Sequence, residues 1–193
     1  MPKIFTEEAR LELSVKLLDA GFAALKKGGL SHLNVEQIAA SCYIAKGTFY
    51  HFFPSRYEYL YRIMLHERQR SKDALHSFLN EERKLTAEGL SRYLHWLLHE
   101  NPNIFSYLSE PEKKRVLAAW PPEYLENEHN DTVTMNMLYG LLASPRKDAD
   151  LKTACNLMKL LAVSLQMKSL FLPEAYPSMM DRLIDQISGC ICA

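Results

Sequence analysis

A stretch of six residues in the first third of the chain carries five groups suited to contacting nucleic acid. One residue supplies a cation, one has no side chain, and three supply hydrogen-bonding groups. These residues are Lys46, Gly47, Thr48, Tyr50 and His51. The neighbouring Phe49, Phe52 and Phe53 are expected to pack in a core. A helix with one small polar side and one apolar side suits insertion into a DNA groove better than burial.

Each of the five has an expected contact. Lys46 is expected to reach a phosphate or a guanine edge, and Gly47 to let the helix approach the duplex closely. Thr48 is expected to bond a phosphate or touch a thymine methyl group. Tyr50 and His51 are expected to contact the DNA backbone or a base. Two alternatives stay open: the Tyr50 ring packs on its own helix, or His51 is a solvated surface histidine.

Two capping boxes place this helix within a helix-turn-helix. Residues 34–37, Asn-Val-Glu-Gln, predict the start of a short helix before the turn. Residues 55–58, Ser-Arg-Tyr-Glu, predict the start of the next helix, and Pro54 forces a sharp entry. Asn34 and Arg56 therefore lie at helix starts, where free amides and the helix dipole favour phosphate.

Helical periodicity continues through most of the chain. Apolar spacing predicts a first helix over 7–27, ended by Gly28-Gly29. A long helix is predicted over about 56–80. Its segment 66–73 is polar on all sides, which favours a strut crossing solvent between two domains.

The remaining breaks and capping signals predict an all-α fold. No alternating pattern of useful length indicates a strand. The domain boundary is placed inside continuous structure, giving a helix-turn-helix domain over 1–54 and a larger helical domain over 55–193. The further predicted helices span 86–100, 103–108, 110–119, 131–143, 148–172 and 178–189.

The segment from the first helix to Leu60 resembles the DNA-binding domain of the tetracycline-repressor (TetR-like) family of bacterial regulators. The similarity rests on several motifs in order: Gly29-Leu30, residues 35–39, residues 46–50, residues 53–56, and then Glu58 and Leu60. It covers about the first sixty residues. The resemblance implies DNA contacts from Asn34, Ala45, Lys46, Gly47, Thr48, Tyr50, His51 and Arg56.

Two positions depart from the family pattern. Tyr43 stands in the turn where glycine is usual, and a left-handed tyrosine would cost roughly 1 kcal/mol. Ala45 stands where a Ser or Thr cap usually begins the recognition helix, a loss of about 1 kcal/mol.

The last two helices are apolar beyond a single stripe, which requires a second buried surface. Two explanations stay open. These helices are either core helices or a homodimer interface in which two helices of each subunit form a four-helix bundle. The predicted interface residues are Met158, Leu161, Leu165, Met180, Leu183, Ile184 and Ile187.

Aromatic residues and methionines of the larger domain would suit the lining of an apolar ligand pocket, or equally a core. The pocket candidates are Tyr93, Trp96, His99, Trp120, Met135 and Tyr139. His95 and His99 have a spacing that can hold a metal ion, but no acidic or thiol partner lies near them in sequence. We predict no metal and no cofactor.

Composition and motifs restrict the classes of protein to which this chain can belong. Net charge is zero, but residues 1–72 hold eleven Lys/Arg against seven Asp/Glu, a local excess that weakly favours a DNA-facing front. The four cysteines lack zinc spacing, and no signal peptide or membrane span is evident, which predicts free thiols in the cytoplasm. Because no catalytic motif is present, we predict that the protein is not an enzyme.

Together these observations predict a ligand-responsive transcriptional regulator. A homodimer would place two recognition helices in successive major grooves of a palindromic operator, about 34 Å apart. A small apolar or aromatic molecule would release the DNA, and repression is the expected mode. The alternatives are a helix-turn-helix regulator or a protein-interaction module without a small-molecule ligand, and an all-α enzyme.

Overall fold

The computed structural model describes residues 6–100, 103–126 and 131–193. Within those ranges the chain forms ten α-helices and no strand, which confirms the predicted all-α class. The helices are α1 (Glu7–His32), α2 (Val35–Ser41), α3 (Lys46–Phe52), α4 (Arg56–Leu75), α5 (Ala87–Glu100), α6 (Glu110–Ala119), α7 (Pro122–Glu126), α8 (Asp131–Leu141), α9 (Leu151–Gln166) and α10 (Tyr176–Ile191). Short 3-10 turns span His76–Phe78, Ile104–Tyr107 and Lys168–Leu170.

The long helix and the helix predicted over 148–172 both end earlier than predicted. α4 ends at Leu75 rather than near residue 80, and a 3-10 turn follows it. The predicted helix over 148–172 is α9, which ends at Gln166, followed by a 3-10 turn.

A glycine pair interrupts α1 near its end. Gly28 and Gly29 leave helical geometry, and Gly29 has a φ of 66°. A Cβ atom on Gly29 would lie 2.7 Å from the carbonyl oxygen of Tyr107. Glycine is therefore required here both by backbone conformation and by the close approach of another segment.

The capping box before α2 forms only in its first half. The Asn34 side-chain oxygen accepts from the amides of Glu36 and Gln37, at 2.9 and 3.2 Å. The amide of Asn34 was expected to donate to the Gln37 side chain. It donates instead to the carbonyl of His32 at 2.8 Å.

The box before α4 is also half formed. Ser55 Oγ accepts from the amide of Glu58 at 3.0 Å. The Glu58 carboxylate accepts from Arg62 Nε at 2.8 Å and from the Tyr124 hydroxyl, so it does not reach back to Ser55.

The chain divides into two compact units that alternate along the sequence. The first comprises Met1–Gln69 and Pro102–Leu125, and the second comprises Arg70–Asn101 and Glu126–Ala193. α4 therefore contributes residues to both units. The predicted boundary between residues 54 and 55 stays a prediction.

Tyr59 of α4 lies at the centre of the first unit. Its side chain is fully buried, and its hydroxyl donates to the carbonyl of Leu17 in α1. The Phe49 and Phe53 rings pack on it with centroids 4.8 and 4.7 Å away. A Cβ atom on Gly21 would lie 2.2 Å from the Tyr59 hydroxyl, so α1 can pack this closely only with glycine there.

A segment from the middle of the chain completes this core. Ile104 and Val116 are fully buried in it. The Trp120 indole donates to the carbonyl of Tyr57 at 3.0 Å, and the Tyr61 and Tyr124 rings stack 3.7 Å apart. The first unit is thus not a simple N-terminal segment.

The polar band predicted over 66–73 is not uniformly solvent-exposed. Glu67 is 1% exposed and Ser71 is 9% exposed. The prediction of a solvent-crossing strut was wrong for these two positions, because a polar sequence does not show which side of a helix packs against another segment.

The second unit has its core around α9 and α10, which pack on each other. Leu161, Met180, Ile184 and Ile187, all predicted for the dimer interface, are buried in this core of their own chain. Met158, Leu165 and Leu183 are partly buried against the same core. Their place in a dimer interface stays a prediction.

Candidate nucleic-acid interface

Two seven-residue helices and the turn over 42–45 form the candidate interface. Helices this short are unstable alone and depend on packing. α2 buries Val35, Ile38 and Ala39, whereas α3 fully buries only Phe49. Most side chains of α3 are therefore available on its outer side.

Lys46, the first residue of α3, forms an ion pair with α2. Its Nζ donates to Glu36 Oε1 at 2.7 Å, and the two side chains are 53% and 67% exposed. This hydrogen bond and the opposite charge hold the pKa of the Glu36 carboxyl below its usual value and raise the pKa of Lys46. Both groups are therefore charged near neutral pH.

Glu36 is the residue of this interface that the sequence analysis left without a function. It was considered as a member of the capping box and of the motif over 35–39. The sequence shows that Glu36 is in the first turn of α2, ten positions before Lys46. It does not show that the turn brings the two helix starts together.

Gly47 and Tyr50 share the exposed side of α3 with Lys46. A Cβ atom on Gly47 would meet no other atom within 4 Å, so nothing described in the protein requires glycine there. Tyr50 is 41% exposed, and its ring meets Phe49 edge-on at 5.6 Å. The ring thus has both a packing contact within its own helix and an exposed surface.

Thr48 and His51 border an open concavity of about 1400 Å³ between α3 and the first half of α1. Thr48 is half-buried and His51 is exposed. Arg10 and Lys16 supply positive charge to the lining, while its acidic members are Glu12 and Asp19. The concavity therefore carries charges of both signs.

The turn has the two features expected at Tyr43 and Ala45. Tyr43 has a φ of 59° and is 97% exposed, so a bulky residue occupies a left-handed position without gaining burial. Ala45 occupies the N-cap of α3 and provides no side-chain cap.

Asn34 and Arg56 stand at helix starts, as predicted, with different environments. The Asn34 oxygen is engaged in capping α2. Arg56 is half-buried at the start of α4, and its Nε is buried without a hydrogen-bond partner among the described residues. Their DNA contacts stay predictions.

The pocket candidates are divided between the units. In the second unit, Tyr93 and Trp96 have near-parallel rings 6.2 Å apart, and the Tyr93 hydroxyl donates to the carbonyl of Ser71. Burial raises the pKa of Tyr93 to about 12. Met135 is also buried there, whereas Trp120 lies in the first unit and does not share that core.

The two remaining candidates have polar surroundings. Tyr139 donates its hydroxyl to the carbonyl of Arg146 at 2.6 Å. His99 is exposed near the end of α5. Four residues apart from it, His95 Nε2 lies 3.8 Å from Asp181 Oδ1, an acidic neighbour that the sequence did not reveal.

One group of side chains in the first unit has metal-ligating chemistry. Asp19, His66 and Glu67 bring one ligand atom each within 4.8 Å of one another. His66 Nε2 lies 3.0 Å from Asp19 Oδ1, as in an ordinary hydrogen-bonded ion pair.

Comparison with known proteins gives the helix-turn-helix a family context. Residues 17–60 match the model of the bacterial regulatory proteins of the tetR family. Among curated proteins, none matches the sequence. Within the described helices, none combines the length and apolar character needed to cross a membrane.

Solved structures share the fold over nearly the whole chain. A TetR-family protein from Vibrio parahaemolyticus is 15% identical, with a TM-score of 0.57 and coverage of 94% of this chain and 99% of that one. A TetR-family regulator from Haemophilus influenzae is 16% identical, with a TM-score of 0.55 and coverage of 97% and 100%. NalD of Pseudomonas aeruginosa, the secondary repressor of the MexAB-OprM multidrug efflux pump, is 15% identical, with a TM-score of 0.52 and coverage of 94% and 97%.

The left-handed turn predicts a stabilising substitution. Tyr43→Gly is expected to raise the free energy of unfolding by roughly 0.5–1 kcal/mol, because relief of the left-handed conformation exceeds the added entropy of the unfolded chain. Urea unfolding followed by circular dichroism measures this change. Tyr43→Ala is the control, since it removes the same ring but keeps a Cβ. Equal stabilisation by both variants would assign the effect to the ring.

Proposed function

Because residues 17–60 match the model of the bacterial regulatory proteins of the tetR family, we propose how this chain uses its helix-turn-helix. The protein binds a palindromic operator as a homodimer and represses transcription. A small apolar or aromatic molecule binds the second unit and releases the DNA. Repression is the role named for NalD, which shares the fold.

The exposed side of α3 is the observation that carries the proposal. One aromatic anchor, Phe49, fixes the helix, and Lys46, Gly47 and Tyr50 face solvent from it. A helix with this arrangement can enter a major groove with its first turn against the base edges. Phosphate contacts beside it would supply affinity, and base contacts would supply specificity.

An apolar stripe on α9 and the following turn supports the homodimer. Leu160, Val163, Met167 and Leu170 recur at intervals of three and four and are 48%, 46%, 50% and 75% exposed. Exposed apolar residues clustered in this way favour a protein–protein interface. A two-fold contact between α9 helices would bury the stripe on both subunits.

The aromatic group around Tyr93 supports an effector site in the second unit. Phe78 packs on Tyr93 and Trp96 with ring centroids 5.6 and 6.5 Å away. Such side chains stack well on flat apolar molecules, and the Tyr93 hydroxyl adds one polar group to orient them.

Gly47→Ala is expected to weaken DNA binding without lowering the stability of the fold. Alanine favours the helix by up to about 1 kcal/mol, and its methyl group meets open space, so stability should not fall. If the backbone of α3 lies against DNA, the methyl group will weaken binding at least tenfold. The measurement is fluorescence anisotropy on a duplex obtained by in vitro selection, with a scrambled duplex for comparison.

Gly189→Ala is the matched control for that experiment. Gly189 also lies in a helix with nothing within 4 Å of its added Cβ, but it belongs to α10. Unaltered operator affinity for both variants would exclude close contact between α3 and DNA. Failure of selection to enrich any duplex would contradict the proposed DNA-binding role as a whole.

Val163→Glu is expected to dissociate the dimer. A two-fold interface would bring two carboxylates together in an apolar contact, which weakens association at least tenfold. Val133→Glu is the control, because Val133 is 56% exposed on α8 of the same unit. Sedimentation equilibrium should give twice the 22.2 kDa chain mass for the wild type and the control only. A Val163→Glu variant that stays dimeric would show that the interface lies on another surface.

An effector is expected to stabilise the protein and weaken its operator complex. A panel of apolar aromatic compounds can be screened by thermal shift, and each hit then tested by anisotropy for a roughly 5- to 150-fold loss of affinity. Trp96→Leu should remove both responses while leaving affinity for the operator unaltered in the absence of compound. A compound that raises the melting temperature but leaves operator affinity unchanged is not the effector. A panel without hits would favour a regulator that has no such ligand.

A further inference from the structure

We propose that Glu36 and Lys46 act together to read one G·C base pair in each operator half-site. In this pair Glu36 is a specificity-determining residue, and Lys46 contacts a base edge rather than a phosphate. The proposal rests on the proposed operator binding and deepens it by naming a base pair that the interface recognises.

The ion pair presents a donor and an acceptor side by side. The Lys46 ammonium and a Glu36 carboxylate oxygen are 2.7 Å apart. In the major groove, a G·C pair presents the guanine O6 and N7 acceptors beside the cytosine N4 amino donor. The ammonium can donate to guanine while the carboxylate accepts from cytosine, so the protein edge and the base edge are complementary.

The position of the pair places both side chains on the proposed DNA-facing surface. Glu36 is in the first turn of α2, and Lys46 begins α3 beside the open position of Gly47. Since the two charged groups touch, any DNA that meets Lys46 also meets Glu36. Both side chains are more than half exposed and can adjust to a duplex.

A carboxylate on this surface restricts the DNA contacts that are possible, because DNA repels a carboxylate except at a few atoms. Phosphates are negative, and the exposed hydrogen-bond donors of the major groove are the amino groups of cytosine and adenine. A phosphate contact by Lys46 would bring the paired Glu36 carboxylate towards the negatively charged backbone. A base contact keeps the ion pair intact.

Guanine is favoured over the other bases by the number of bonds formed. Its O6 and N7 atoms both accept from one ammonium, and cytosine then supplies the donor for Glu36. Because the pKa of Glu36 lies below its usual value, its carboxyl is ionised near neutral pH and accepts hydrogen bonds without donating any.

The test measures base preference at every position of a selected operator. Wild type, Glu36→Ala, Glu36→Gln and Lys46→Met are titrated by anisotropy against operators that carry one symmetric base-pair change at a time. Wild type should bind at least about fivefold more weakly when A·T replaces G·C at one position in each half-site. Glu36→Ala and Lys46→Met should lose that preference at the same position and keep it elsewhere. Glu36→Gln should shift the preference towards A·T, because glutamine pairs with adenine.

A second ion pair provides the control. Glu110, in the first turn of α6, accepts from Lys113 Nζ at the same distance of 2.7 Å, and its pKa is also lowered. Glu110→Ala removes an equivalent pair outside the helix-turn-helix and should leave every base preference unchanged.

Two results would overturn the inference while leaving the proposed function intact. One is a Glu36→Ala variant with the base preferences of wild type. The other is a variant that binds operator and scrambled duplex more tightly by the same factor, which would mean that Glu36 only neutralises Lys46. If selection enriches no duplex for wild type, the proposed function itself fails.

Discussion

The packing of Tyr59 between α1 and α3 determines where the residues of the candidate interface lie. Its hydroxyl is tied to the carbonyl of Leu17, and the absence of a side chain at Gly21 allows the contact. Phe49 then packs on the Tyr59 ring, and Phe49 is the residue that α3 buries completely. The orientation of α3 therefore depends on this aromatic contact to α4 as well as on its packing against α2, and α4 is held by α1.

This arrangement leaves α3 with little internal stability and a largely free outer side. A seven-residue helix without an N-terminal side-chain cap gains almost nothing from its own hydrogen bonds. Positioning by a single deep anchor frees the next residues from any structural role, and Gly47 is the clearest example. The ion pair between Glu36 and Lys46 adds a second, solvent-exposed link between α2 and α3. Such a link contributes little to stability, so its chemistry is available for recognition.

The sequence predicted the elements of this interface better than their partners. Helix starts at residues 35 and 56 follow from local capping residues, which act within a few positions of the chain. The second half of a capping box is less predictable, since Glu58 instead meets Tyr124, a partner 66 positions away. The box of Ser109 and Glu112 does form, and the amide of Ser109 donates to Glu112 Oε2 at 2.8 Å.

The sequence also did not predict which side of a helix is buried. α9 and α10 are apolar around much of their circumference, so periodicity could not distinguish core positions from partner-facing ones. Leu161 proved to be core, whereas its neighbours Leu160 and Val163 are exposed. The same limit applies to Trp120, because only the tertiary structure assigns residues 102–125 to the unit that contains the helix-turn-helix.

That assignment adds a distant part of the chain to the support of α3. Residues 102–125 follow α5 and precede α8, which both belong to the second unit, yet Ile104, Val116 and Trp120 complete the core around Tyr61. Because Trp120 donates to the carbonyl of Tyr57, this segment also holds the first turn of α4, close to the contact that orients α3. The position of α3 thus depends on residues far along the chain as well as on its sequence neighbours.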